Sequence, residues 1–203
     1  MSSNRMRALH RFSSAIIGVF ALVHVANHLA AAGGVASHIA FMNVARSVYR
    51  MPLVEAALLA SVMVQVVTGL LLVRHGWHQL HGLVARLQVA AGLYLAPFLL
   101  LHTSAILAGR GLFHLDTNFY FAAAGFHVPP FQWFFGPYYL LAVIAFFTHL
   151  GCAAYWKLSD FRRAALGIFL AVGIVSALII VLAFAGALYP IDVPDGYKVI
   201  YRP

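Results

Sequence analysis

Residues 11–33 read RFSSAIIGVFALVHVANHLAAAG, and residues 85–109 read ARLQVAAGLYLAPFLLLHTSAILAG. Each stretch is long enough to cross a hydrocarbon core of ~30 Å at a helical rise of ~1.5 Å per residue. Each also carries histidine at a depth where a polar side chain is costly. Three further stretches of this kind lie near 52–74, 133–157 and 163–188. The 203-residue chain is 63% hydrophobic and 9% charged, too apolar to give a soluble fold its polar shell. The pattern predicts an all-α fold: a polytopic membrane helical bundle of five transmembrane helices, forming one transmembrane domain over 1–203.

Helix-breaking residues agree with this division. Gly33-Gly34 ends the first span, and Pro52 suits the first turn of the second, where its missing N–H does no harm. Pro137 is expected to play that part in the fourth span, with Ser159 or Asp160 capping the fifth and Pro190 and Pro194 stopping it. Pro97 lies five residues before His102 and is expected to kink the third span. The aromatic-rich segment 112–133, with Phe113, Phe119, Tyr120, Phe121, Phe126, Phe131 and Trp133, reads as an interfacial cap or an aromatic belt.

The net charge of +8 sits at the ends of apolar segments and forms no long basic run, so it points to membrane lipid and not to nucleic acid. Arg5, Arg7, Arg11, Arg74, Arg86, Lys157, Arg162 and Arg163 fall on one side; Arg46, Arg50, Arg110, Lys198 and Arg202 fall on the other. Eight against five predicts a cytoplasmic N-terminus and a periplasmic C-terminus in a bacterial inner (cytoplasmic) membrane. The first apolar run continues through His24, Asn27 and His28, so it reads as a span and not as a signal peptide. Cys152 is the only cysteine, which excludes an intrachain disulfide and a thiolate cluster.

His28 lies 17 residues from Arg11, and His102 lies 17 residues from Ala85. Both are therefore ~26 Å along parallel spans, at one level in the outer leaflet. Two imidazoles at one depth on different helices predict one bound object between them, with haem iron leading and His28 and His102 as ligands. His24 is one turn deeper on the same face and is an alternative first-helix ligand. His24, His28 and His102 together also match a three-nitrogen zinc or copper site. His149 lies ~12 Å from the inner boundary set by Lys157, with no histidine at that depth on the second span. Glu55, the one acidic residue in a span, is expected to form a structural ion pair near Arg46 and Arg50. Gln65 and Thr68 are expected to hydrogen-bond between helices, and His38, His114 and His127 are expected at the outer interface.

With five spans, His10-Arg11-Phe12-Ser13-Ser14 before the first, and histidines in spans one, three and four, the chain resembles the membrane-anchor cytochrome b subunits of succinate:quinone and fumarate reductases. The likeness is to the single-chain, five-helix type, whose His-Arg-x-Ser/Thr-Gly signature departs here only in Ser14 replacing glycine. The resemblance implies a haem b between spans one and three, through His28 and His102. It implies a second between spans two and four, where His149 has a place but the second-span ligand has no counterpart. It implies quinone at His10, Arg11, Ser13 and Ser14, and flavin and iron–sulfur subunits as partners, with a homo-oligomer also open. The chain would then be a non-catalytic or quinone-reactive subunit of an oxidoreductase complex. Two rivals stand beside it: a haem-free structural or assembly subunit of the same fold, and the zinc or copper protein.

Overall fold

The computed structural model describes residues 3–201, so Arg202 lies outside the described residues. In chain order the α-helices are α1 (Ser3–Leu29), α2 (Val35–Tyr49), α3 (Pro52–Gly76), α4 (Leu83–Gly111), α5 (Phe119–Ala123), α6 (Gln132–Lys157), α7 (Arg162–Phe184) and α8 (Asp195–Lys198). No strand occurs among the described residues. α1 (with the 3-10 turn Ala30–Gly33), α3, α4, α6 and α7 are long and apolar enough to cross a membrane, so the chain is an all-α, multi-pass membrane protein. We call the end at which α1 starts the inner end.

Pro52 takes the first position of α3. Other boundaries differ from expectation. Pro137 falls inside α6, which begins earlier, at Gln132. Neither Ser159 nor Asp160 caps α7; Phe161 holds that position without a side-chain bond. α7 ends at Phe184, four residues short of the expected 188, because Gly186 adopts φ +74°. There the amide of Ala187 donates to the carbonyl of Leu182 and that of Gly186 to Ala183, a Schellman closure. α4 runs unbroken through Pro97.

α2 has no counterpart in the sequence reading. Gly34, at φ +105°, turns the chain out of α1 so that α2 packs against it. His38 and Met42, one turn apart, are its buried residues. The aromatic segment is likewise more than an interfacial belt: Asn118 Oδ1 accepts from the amides of Tyr120 and Phe121 to start α5, and Phe119 is wholly buried.

α1 packs along α3, α4 along α6, and α6 along α7, while α3 also meets α4. The α6–α7 seam is the closest. A Cβ added at Gly173 would lie 2.7 Å from Phe147 Cβ, and one at Gly151 would lie 2.8 Å from Phe169 Cβ. The buried cluster of Val25, Phe119, Phe147, Ile180 and Phe184 ties α1, α5, α6 and α7 together. The chain after α7 crosses the outer end, where the Tyr189 hydroxyl donates to the carbonyl of Ala31 (2.6 Å) and Asn118 Nδ2 donates to the Tyr197 hydroxyl (2.8 Å). α1 thus stands apart from α4, with a long apolar space among α1, α3, α4 and α6.

Candidate functional site

Four imidazoles meet near the outer end. α1 carries His24 and His28 one turn apart, and His28 Nε2 lies 3.0 Å from His24 Nε2. His28 Nδ1 lies 3.0 Å from His38 Nε2, which Asn27 Nδ2 also approaches at 3.3 Å. His38 is therefore not interfacial: it is 1% exposed, because α2 folds it back against α1. Burial pushes its imidazole down to about 4. His102 projects from α4 with its ring centroid 5.9 Å from that of His24 and the planes at 66°. Phe20 stacks on His24 and Phe98 on His102, at interplanar angles of 18° and 12°, which fixes both rings.

The depth argument pairs His28 with His102. The structure brings His24 next to His102 and turns His28 toward His38 and the edge of Phe184. His102 makes no hydrogen bond among the described residues, whereas both nitrogens of His28 are engaged. Two imidazoles on opposite axial positions of one metal, with metal–nitrogen bonds of ~2 Å, have centroids roughly 6 Å apart. The His24–His102 spacing suits that arrangement. Ligation through His24 Nε2 would replace its contact with His28; ligation through Nδ1 would leave that contact in place. Among the described residues no group of three His, Cys, Asp or Glu side chains is arranged to hold a metal ion.

Beside this pair opens a cavity of ≈ 600 Å³. Sites for small molecules and cofactors commonly span ~300–1,000 Å³ with mostly apolar walls. Apolar side chains, chiefly leucine, valine and phenylalanine with isoleucine and alanine, supply most of the wall here. Arg50, Glu55 and Arg110 line the outer part beyond His24 and His102; His10, Arg11, Ser14 and His149 line the inner part. A smaller cavity of ≈ 250 Å³ lies among His38, Asn27, Phe121, Tyr138 and Tyr139.

Glu55 forms the expected structural ion pair, with a partner distant in sequence. Glu55 accepts from Arg110, not from its sequence neighbours Arg46 and Arg50. The reason is topological: α3 and α4 are antiparallel, so the first turn of one meets the last turn of the other. Arg46 instead donates to Asp116 at 2.9 Å, and Arg50 donates to Thr117 Oγ1 at 2.9 Å. Tyr49, beside them, has its phenol pushed up by burial, against the pull of Arg50 and Arg46.

The inner cluster is built from α1, α3, α4 and α6. His10 Nδ1 contacts Thr68 Oγ1 and His10 Nε2 contacts Gln65 Nε2, both at 3.0 Å. Ser13 Oγ donates to Gln65 Oε1 at 2.7 Å, and Ser14 Oγ donates back to the carbonyl of Arg11 at 2.9 Å. Gln65 and Thr68 do bond between helices, as their place in an apolar span suggested. His149 finds its neighbours outside the second span: its Nδ1 donates to the carbonyl of Gln88 at 3.1 Å, and its ring centroid lies 6.5 Å from that of His10. Of the four residues proposed for quinone, Arg11 and Ser14 line the cavity, Ser13 is buried under Gln65, and His10 both lines the cavity and is bonded at each nitrogen. The sequence reading missed His38, Asn27 and Gln88. His127 also turns inward, its Nε2 donating to the carbonyl of Phe184 at 2.9 Å.

Comparison of the chain with protein-family models, with curated proteins and with solved structures finds no match.

Proposed function

We propose that this chain is a membrane electron-transfer subunit that holds one b-type haem between α1 and α4 and exchanges electrons with a membrane quinone. The observation that carries this reading is the His24–His102 pair, at 5.9 Å, on the wall of a long apolar cavity. His102, which makes no hydrogen bond among the described residues, and His24, with His28 behind it, would hold the haem iron. A haem held by these two imidazoles would supply a one-electron carrier. Arg50 and Arg110 line the outer part of the cavity, and there they would meet the propionates. Phe20 and Phe98 hold the ligand rings in orientation.

Arg11, at the inner part of the cavity, is the donor offered to quinone oxygen, while the Ser14 hydroxyl beside it gives its proton to the carbonyl of Arg11. The chain has no cysteine cluster and no dinucleotide fingerprint. Flavin and iron–sulfur partners would therefore deliver or remove the electrons. The likeness to succinate:quinone and fumarate reductase anchors supports that assignment, as does the arginine-rich inner side for a cytoplasmic N-terminus.

The test is the absorbance of the full chain purified in mild detergent. A sharp Soret band with a reduced α-band, lost in both His102→Ala and His24→Ala, is the expected result. A colourless preparation free of bound metal would replace this reading with a haem-free structural subunit, in which the imidazoles satisfy one another as His28 and His38 do. Stoichiometric zinc or copper would replace it with the metal-site alternative.

A further inference from the structure

Proton positions in the inner cluster are fixed by groups that only donate or only accept. Thr68 gives its single hydroxyl proton to the carbonyl of Val64 at 2.5 Å. Its contact with His10 Nδ1 therefore requires the proton to sit on that nitrogen. In the neutral ring, Nε2 is then a lone pair, and it accepts from Gln65 Nε2, whose Oε1 accepts from Ser13. His10 is thus occupied on both sides by a clasp between α1 and α3.

His149 is different. The Gln88 carbonyl only accepts, so His149 Nδ1 carries the proton and Nε2 of the neutral ring is a bare lone pair. That nitrogen has no hydrogen-bond partner among the described residues, and the ring lines the cavity. The ring is also seated: a Cβ added at Gly92 would lie 3.3 Å from its Cε1. The nearest other imidazole, His10, has no free nitrogen to share a metal with it. What remains is an unpaired ring acceptor on the wall of a mostly apolar chamber, with Arg11 and the Ser14 hydroxyl at the same end.

A ring hydroxyl satisfies such an acceptor; a ring carbonyl, which only accepts, faces it lone pair to lone pair. We infer that the inner end of the cavity binds the dihydroxy form of the quinone substrate in preference to the dicarbonyl form, with His149 Nε2 accepting one ring hydroxyl. Arg11 donates to the oxygen of the bound ring that reaches it. This rests on the proposal that the substrate is a membrane quinone.

The experiment is anaerobic equilibrium dialysis of the full chain in detergent against duroquinol and, separately, duroquinone. The wild-type protein is expected to bind duroquinol about tenfold more tightly, the worth of one hydrogen bond gained against an acceptor left unpaired. His149→Leu is expected to abolish the preference, by weakening duroquinol binding and leaving duroquinone binding no weaker than in the wild type. His149→Gln, which keeps an accepting oxygen, is expected to retain part of the preference. Equal or tighter duroquinone binding by the wild type, a preference surviving in His149→Leu, or no saturable binding of either probe would overturn the inference. Should His149→Leu fail to fold, the wild-type ratio and the Gln variant decide. Haem absorbance of the same samples separates the two proposals. Haem-free protein with the preference intact removes the electron-transfer reading alone, and haem-loaded protein without the preference removes this inference alone.

Discussion

His24 on α1 and His102 on α4 face each other across helices that do not pack along one another, with ring centroids 5.9 Å apart. His28 is a turn away but spends both nitrogens on other histidines. The two α1 histidines should therefore separate on mutation. His24→Ala is expected to abolish the paired-imidazole absorbance. His28→Ala is expected to keep it, with a lowered melting temperature from the loss of its contacts to His24 and His38. Loss of the band in His28→Ala and its survival in His24→Ala would reverse the ligand assignment.

The His10 clasp is expected to act on stability and to spare the outer site. His10→Ala leaves Gln65 without an acceptor and Thr68 Oγ1 without a donor inside the helix pair. Leaving buried polar groups unpaired costs about 1–3 kcal/mol. Ser13→Ala removes only the bond to Gln65 and the weaker one to the His10 carbonyl, so a smaller loss is expected. Thermal unfolding of detergent-solubilised protein measures both. The clasp account fails if His10→Ala melts with the wild type.

The architecture was legible because each span is a long apolar run bounded by Gly, Pro or Arg, and length alone then fixes a membrane crossing. Depth was legible to within one helical turn: counting residues puts His102 level with His28, and the structure sets it beside His24. Rotation about the helix axis was not. His24 and His28 are four residues apart and share a face, so the choice between them depends on where α2 lies, and α2 depends on the positive φ of Gly34. His38 looked interfacial for the same reason, since nothing local shows that its short helix folds back. Gln88 entered through a main-chain carbonyl, which no side-chain pattern reports. The ion pair of Glu55 was legible from its place as the one acidic residue in a span, but its partner was not, because antiparallel packing supplies Arg110 from fifty-five residues away.

That Glu55–Arg110 pair ties the start of α3 to the end of α4, with both side chains about one-third or less exposed. Removing one partner strands the other charge. Glu55→Ala is expected to cost about 1–3 kcal/mol, discounted for the partial access to solvent. The double variant Glu55→Ala/Arg110→Met is expected to recover much of that loss, since the stranded guanidinium is gone. A double-mutant cycle on the melting free energies measures the coupling, and additive losses would mean the pair contributes nothing of its own.

His38 gives the chain a pH response of definite sign. Burial holds its folded-state pKa at about 4, below the ordinary 6.5. Above pH 6.5 neither the folded nor the unfolded form is protonated, and the stability that goes with the neutral ring is fully present. As pH falls from 6.5 toward about 4, the unfolded chain takes up a proton that the folded chain refuses. Stability is lost across that window by up to about 1.4 kcal/mol per pH unit. Below it both forms are protonated and this contribution is flat. His38→Phe keeps a ring against Phe119 and Phe184 but has nothing to titrate, so its melting temperature is expected to fall less steeply between pH 6.5 and 4. Parallel melting curves for the wild type and His38→Phe over that range would show that the ring is not held neutral by its surroundings.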